Sequence, residues 1–345
     1  ETRYLLIGRE EDIMKAKKPK KITSNMYAKW GYLFIAPFFI VFTLFTLIPL
    51  LSTFIYSFFE SFMDGFDQVG PNFVGLQNYI TLLTDSELYK YLWNTFIIWI
   101  MGFLPQIIIS LLLAVWFTDI RLKLRGLQFW KTIVYMPNLV MASAFGMLFL
   151  TLFAANGPII SFLIEAKAVP ATFTIDSSVW GTRGVIAFIN FLMWFGNTTL
   201  LLMAGVMGID NEIYEAAAID GSGAFRTFFK ITMPLLMPIF IYVFITSLIG
   251  GVQLFDVAQI FTRGSGNPNN TSKTLIMYLY ENLVPSKNYG KGGALSMLIF
   301  FLTLGLSSIV FRYLVPQTKG KGDNKDKKKY HVMDVARKPK QADGE

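Results

Sequence analysis

The sequence predicts an all-α integral membrane protein with six transmembrane helices and both termini in the cytoplasm. Three observations carry that expectation. Long uncharged apolar runs recur along the chain. Only 16% of its 345 residues are charged while 53% are hydrophobic, against about 25% charged in soluble domains. Lys and Arg, finally, gather in alternate connections between the apolar runs, the distribution that membrane insertion imposes.

In chain order, residues 1–29 are polar and basic and read as a disordered cytoplasmic tail. Met14 followed by a lysine run is itself a plausible start, so residues 1–13 are expected to carry little function. Residues 30–59 hold no charge until Glu60 and form the first span, longer than the roughly 20 apolar residues a span needs. Pro37 and Pro49 are expected to bend it. Residues 60–90 are a mixed extracytoplasmic loop. Residues 91–315 form a core of five further spans: Tyr91–Thr118, Thr132 to about Phe153 through Met136-Pro137-Asn138, Gly184–Gly208, Leu235–Ala258 and Gly292–Val315. Residues 316–345 form a second polar tail.

Charge assigns the sides. Of the 31 Lys and Arg residues, 23 fall in the two tails and in the 118–131 and 209–234 loops, Arg312 lies at the end of the last span beside the second tail, and seven fall in the other three connections. The positive-inside rule places the tails and the 209–234 loop in the cytoplasm. The inventory also removes whole classes of chemistry. There is no cysteine, and the one histidine, His331, lies in the polar tail. Zinc hydrolase and Ser-His-Asp chemistry therefore lack raw material. No G-x-x-x-x-G-K-[ST] phosphate loop occurs, so any ATP hydrolysis belongs to another subunit.

The 209–234 loop is the most patterned hydrophilic stretch. Asp210 or Asn211 can cap a helix whose positive end faces Glu212 and Glu215. Ala216, Ala217 and Ala218 favour that helix. Gly221-Ser222-Gly223 stops it, a second short helix fits Ala224–Ile231, and Pro234 and Pro238 suit the first turn of the next span. Glu215-Ala216-Ala217, Asp220-Gly221, Ile231 and Pro234 together resemble the EAA loop of ABC-importer permeases, with Met233 where leucine is usual. The form Tyr-Glu-Ala-Ala-Ala-Ile-Asp-Gly is typical of the carbohydrate-uptake branch, and Phe73-Val-Gly-Leu-Gln-Asn78-Tyr79 resembles a motif after the first span of sugar permeases. The resemblance implies a type I ABC-importer permease fold and a loop that docks on a cytoplasmic ATPase.

The fourth span carries Asn190, Trp194 and Asn197 on one helical face, four and three residues apart. Amides are costly in lipid unless they meet a partner or a wet cavity. Two readings stand side by side: the amides join neighbouring helices, or they and the indole face a sugar. The stretch from Asn190 to Thr262 is similar to the larger permease subunit of maltose-type importers. That resemblance places sugar-contacting positions on Asn190, Met193, Trp194, Asn197, Ser247, Gly250, Gly251 and Leu254. Trp194 stands for a glycine, and Gly251 and Leu254 for asparagines, so the pocket is expected to keep its place and change its shape. Gln253 is a further polar candidate, and Asp256 ends the fifth span near the outer interface.

The expected function is the permease subunit of a binding-protein-dependent ABC importer for a carbohydrate, an oligosaccharide. The implied partners are a second permease chain, two ATPase copies, an extracellular solute-binding protein, membrane lipid and the carbohydrate, with no nucleic acid. The chain has no cofactor of its own, ATP and Mg belonging to the ATPase. Its place is the bacterial plasma membrane. A secondary transporter is the rival, and it would want buried acids within its spans. Within the importer class, a polyol or glycerol-phosphate substrate stays open, although an anion would want Arg or Lys in the pathway.

Overall fold

A computed structural model describes residues 25–119 and 125–314, so residues 1–24 of the first expected tail, the second tail, and Arg121 and Lys123 of the basic loop lie outside the described residues; residues 25–29, expected to be disordered, are helical. Of the described residues, 25–55 form one unit and those from Tyr56 onward a second. The first unit is a helix, α1, built from Asn25–Phe42, a π turn at Thr43–Leu47 and Ile48–Tyr56. Pro49 lies two residues beyond the π turn. A proline ring clashes with the carbonyl four residues back, here that of Phe45, inside the π turn. The wider turn moves that carbonyl away, and Trp30–Tyr56 remains one apolar helix of 27 residues.

The second unit opens where a plain loop was expected. Phe59–Asp64 (β1) and Asp67–Phe73 (β2) pair antiparallel, with Asp64 opposite Asp67. Gly65 takes φ +62° as the first residue of the two-residue turn, the position that a type II′ hairpin reserves for glycine. The Phe73–Tyr79 motif anchors this hairpin. Asn78 Nδ2 donates to the Ser57 and Phe59 carbonyls at 3.0 and 2.9 Å, and the Tyr79 and Ser57 hydroxyls meet at 2.6 Å. Its Asn78 and Tyr79 lie on a short helix, Gln77–Thr84 (α2).

Helix α3 then runs Ser86–Thr118, starting five residues before the expected span. Asp85 caps it by accepting from Glu87 N at 2.9 Å, which satisfies one of the orphan donors of the first turn. The Tyr278 hydroxyl also donates to Asp85, at 2.6 Å. That bond holds the Asp85 carboxyl below its ordinary range. The expected third span is broken. Leu127–Tyr135 (α4) continues as a 3₁₀ turn at Met136–Leu139, and Ala142–Leu152 (α5) leaves at 88°. Pro137 starts the tight turn, and Val140 and Met141 are extended.

After Pro158–Glu165 (α6), helix α7 spans Val179–Met207. Ser178 caps it through a 3.1 Å bond from Gly181 N, so it begins five residues before the expected Gly184. The earlier start brings a basic residue, Arg183, into the span. Arg183 sits one turn inside α7, 7% exposed, donating to Asn94 Oδ1 at 2.7 Å and to the Thr271 carbonyl at 2.9 Å. Asn211–Ile219 forms α8. Helix α9 consists of Ala224–Thr227, a π turn at Phe228–Thr232 and Met233–Val252 without interruption. The span therefore does not begin at Pro234. As at Pro49, the π turn lies two residues before the proline, and the threatened carbonyl, that of Lys230, lies inside it.

Helix α9 stops at Val252, six residues before the expected end. Gln253-Leu254-Phe255 form a break, and Asp256 starts a new short helix, Asp256–Phe261 (α10). Asp256 therefore does not end the fifth span; its carboxylate lies in the first turn of α10, where the helix N-terminus favours it. Leu275–Leu283 (α11) and Tyr289–Leu314 (α12) complete the fold. Among the described residues, five helices are long and apolar enough to cross a membrane, or six with the bent α4–α5 pair counted as one span.

Helices α3 and α7 form the centre. At Gly102 an added Cβ would lie 2.9 Å from the Ala187 carbonyl oxygen, the close backbone approach that small residues allow in membranes. Ile98, Ile186, Ile189 and Met193 pack there against Leu254, Ala258 and Phe261.

The charge asymmetry makes a checkable statement about sides. In this cysteine-free chain, single cysteines at Gln77 and Asn269 are expected to react with an impermeant maleimide from outside intact cells. A cysteine at Ser222 should react only after the membrane is opened. Labelling of Ser222→Cys from outside would overturn the orientation.

Candidate functional site

The 209–234 loop is a compact unit. Asp210 accepts from Glu212 N at 3.2 Å and caps α8. At the other end Gly221 N donates to the Ala218 carbonyl at 3.1 Å and Ser222 N to the Ala217 carbonyl at 2.9 Å, with Gly221 at φ +70°. These two bonds are the Schellman pattern, and the left-handed residue between them is glycine because a Cβ would be strained. Glu215, Ala216 and Asp220 are exposed on α8, whereas Ala217 is buried. Ile219 is 87% exposed, and Phe225 and Phe229 beyond the turn are also exposed. Ile231 is half-buried and Pro234 exposed at the base of α9. Carboxylates and apolar side chains thus share one open surface.

The second cluster lies on α7. Asn190 and Asn197 are half-buried, and Trp194 is 46% exposed between them. Neither amide has a hydrogen-bond partner within the described residues. The polar ties between helices come from other side chains. Gln106 Nε2 donates to Thr198 Oγ1 at 2.8 Å, Ser110 Oγ to the Phe195 carbonyl at 2.8 Å, and Asn138 Nδ2 to the Met193 carbonyl at 2.9 Å. The Met136-Pro137-Asn138 turn is thereby docked on α7, where Gly196 lets the α4 backbone pass: a Cβ there would lie 2.1 Å from the Val134 carbonyl oxygen. Met193 itself is buried in the core.

The candidates on α9 divide. Ser247 Oγ accepts from Trp99 Nε1 at 3.1 Å. A Cβ on Gly251 would lie 2.1 Å from Trp99 Cδ1. Both residues therefore seat the Trp99 ring, which also stacks on Phe103 at 5.3 Å. Gly250 has open space around it, and Gln253 is exposed at the helix end. Leu254 is 5% exposed, packed in the core with Met193, and its carbonyl accepts from Thr274 Oγ1 at 2.7 Å. Trp99 was missed in the sequence because an aromatic in an apolar run carries no local mark of its partner. Gln106 and Ser110, polar residues four apart within an uncharged run, were the available signal for the α3–α7 ties.

This architecture, a multi-pass helical core with a capped hydrophilic helix between two spans, defines a polytopic membrane protein of the transport type. The chain belongs to the family of binding-protein-dependent transport system inner membrane components, whose profile matches residues 88–320. It is 30% identical over 293 residues to the arabinooligosaccharides transport system permease protein AraP of Bacillus subtilis, covering 84% of this chain and 90% of that protein. It is 29% identical to the lactose transport system permease protein LacF of Rhizobium radiobacter, covering 81% and 92%. The trehalose/maltose transport system permease protein MalF of Thermococcus litoralis is 30% identical, with 83% and 93% covered. Among solved structures, a bacterial ABC transporter involved in alginate import matches with a TM-score of 0.72 at 17% identity, covering 87% of this chain and all of the other. The fold is shared with that structure.

The Trp99 seat makes its own prediction. Overpacking a filled site costs about 1–3 kcal/mol, so Gly251→Val is expected to lower the amount of folded protein in membranes. Gly250→Val, with open space around it, should leave that amount unchanged. Quantitative blotting of detergent-extracted monodisperse protein compares the two.

Proposed function

We propose that this chain is the permease subunit of an ATP-driven importer for a carbohydrate, an oligosaccharide, with its translocation path along Asn190, Trp194, Asn197 and Gly250 and its ATPase contact on the 209–234 loop. The observation that carries the reading is the pair of unpaired amides. Every other polar side chain of α7 that faces a neighbouring helix is hydrogen-bonded, while Asn190 and Asn197 flank an exposed indole and bond nothing among the described residues. An amide can donate to and accept from sugar hydroxyls, and an indole offers an apolar face. The relatives named for arabinooligosaccharides, lactose and trehalose/maltose support the same class. An anionic substrate gains no support from Arg183, whose guanidinium is engaged by Asn94 and Thr271.

The partners of this reading are a second permease chain, two ATPase subunits that carry ATP and Mg, and a solute-binding protein on the outside. Alternating access follows from the loop. The surface of Glu215, Ile219 and Phe225 seats on the ATPase, and closure of the ATPase pair displaces α8 and with it α9. The path changes sides without any bond being made or broken in this chain.

Two experiments test the reading. Each hydroxyl–amide bond contributes about 0.5–1.5 kcal/mol net, and stacking on Trp194 adds about 25 cal/mol per Å² of apolar area covered. Asn190→Ala should weaken uptake of a labelled oligosaccharide several-fold, and Trp194→Ala by more, with assembled complex unchanged. Unchanged uptake per complex in both variants would show the stripe to be structural. For the loop, Gly221→Asp and Glu215→Lys are expected to leave the chain inserted while reducing co-purification of the ATPase or transport-linked hydrolysis. Normal uptake in both variants removes the loop from the mechanism.

A further inference from the structure

The connection between α8 and α9 is short and made of permissive backbone. Residues 220–223 include Gly221 and Gly223, and at neither position would a Cβ meet anything within 4 Å. Beyond the two backbone bonds that end α8, no side-chain packing at these glycines stiffens the turn. A push delivered to α8 would be absorbed there by rotation about glycine bonds unless a second connection closed the loop.

One such connection exists. The Tyr214 hydroxyl meets Thr232 Oγ1 at 3.2 Å, across 18 residues of sequence. Apart from its own N-terminal cap, this is the only side-chain hydrogen bond of α8 among the described residues. Thr232 is 3% exposed and is the last residue of the π turn in α9. Its hydroxyl also lies 3.5 Å from the Thr227 carbonyl, and Thr227 Oγ1 donates to Ser222 Oγ at 3.0 Å. Tyr214, Thr232, Thr227 and Ser222 therefore ring the glycine turn with polar contacts. Tyr214 and Ala217, three residues apart on α8, form its inward side, with Glu215 and Ile219 facing out.

We propose that the Tyr214–Thr232 hydrogen bond is the strut that makes α8 and α9 move as one body, and that Tyr214 is thus a positioning residue for transport. This inference rests on the coupling role proposed for the 209–234 loop. Thr232 is fixed in a helix that continues unbroken to Val252, and Gly250 lies about 27 Å along it at about 1.5 Å per residue. A displacement of α8 passed through the strut is therefore delivered as a rigid movement of the helix that borders the path. The bond needs two hydroxyls at one distance, so it is sensitive to removal of either oxygen with little change of side-chain shape.

The test reads the path itself and needs no identified sugar. In the complete complex in lipid, a single cysteine replacing Gly250 is reacted with a maleimide, without nucleotide and in the ATP–vanadate state, and labelling is read on this chain after electrophoresis. The labelling rate should differ between the two states. Tyr214→Phe and Thr232→Val should each shrink that difference about threefold or more, in line with loss of one hydrogen bond. The double variant should do no worse than the single ones, and Thr232→Ser should keep the full difference. A full nucleotide response in Tyr214→Phe, multiplicative losses in the double variant, or failure of Tyr214→Phe to assemble would overturn the strut. Gly221→Asp in the same assay separates the two claims. If it too leaves the response intact, the coupling reading has failed; if it abolishes the response while Tyr214→Phe does not, the strut alone has failed.

Discussion

Helices α3 and α7 touch backbone to backbone, and the rest of the core is assembled around that contact. Gly102 admits the Ala187 carbonyl to a distance that no side chain would tolerate. In lipid there is no hydrophobic drive between apolar helices, so close packing and shared hydrogen bonds must hold them. Gln106 to Thr198 and Ser110 to the Phe195 carbonyl supply the bonds one and two turns along from Gly102. Asn94 and Arg183 supply another towards the opposite end and draw in the 266–274 segment through Asn270, Thr271 and Lys273. These groups satisfy one another without drawing on the amides of Asn190 and Asn197.

The departures from simple spans have a common cause. A bilayer requires every backbone polar group to be satisfied within the protein, and proline removes a donor and pushes on a carbonyl. Near Pro49 and Pro234 the helix widens into a π turn and continues. At Pro137 it cannot, because a tight 3₁₀ turn and two extended residues follow, and the chain turns through 88°. There Asn138 ties the bend to α7. The end of α9 is held in the same way, the Leu254 carbonyl being capped by Thr274. At both breaks, a hydrogen bond between a side chain and a backbone carbonyl ties the irregular segment to a neighbouring element.

Polar residues of the chain thus serve two distinct ends. Those facing a neighbouring helix are tied and give rigidity, as Trp99 is by Ser247 and by the space left at Gly251. Those facing open space are left without partners among the described residues: the two amides, the Trp194 ring, and the acids of α8. A transport path has to present groups that can exchange water for substrate and back, which tied groups cannot do. The separation of the two sets on α7, with Thr198 turned inward and Asn197 beside it left free, is the clearest sign of that division.

By itself the sequence determined the helical membrane class, the rough place of each span and the start and stop of α8 in the 209–234 loop, though not that residues 224–231 belong to the next span. Capping at Asp210 and the left-handed residue at Gly221 are local events, set by residues within a few positions, so a local reading finds them. The tertiary structure decided the rest. The β-hairpin went unread because its register depends on Asn78 and Tyr79 of a following helix. The helix starts at Ser86 and Val179 were hidden by charged residues that a hydropathy reading excludes but that the fold buries or pairs, Arg183 above all. Leu254, Ser247 and Gly251 shared a helical neighbourhood with Gly250 in the sequence, yet one packs in the core and two seat an indole. Periodicity tells which residues share a face; what that face meets is set by the neighbouring helix, from residues some 150 positions away in the case of Trp99 and Ser247.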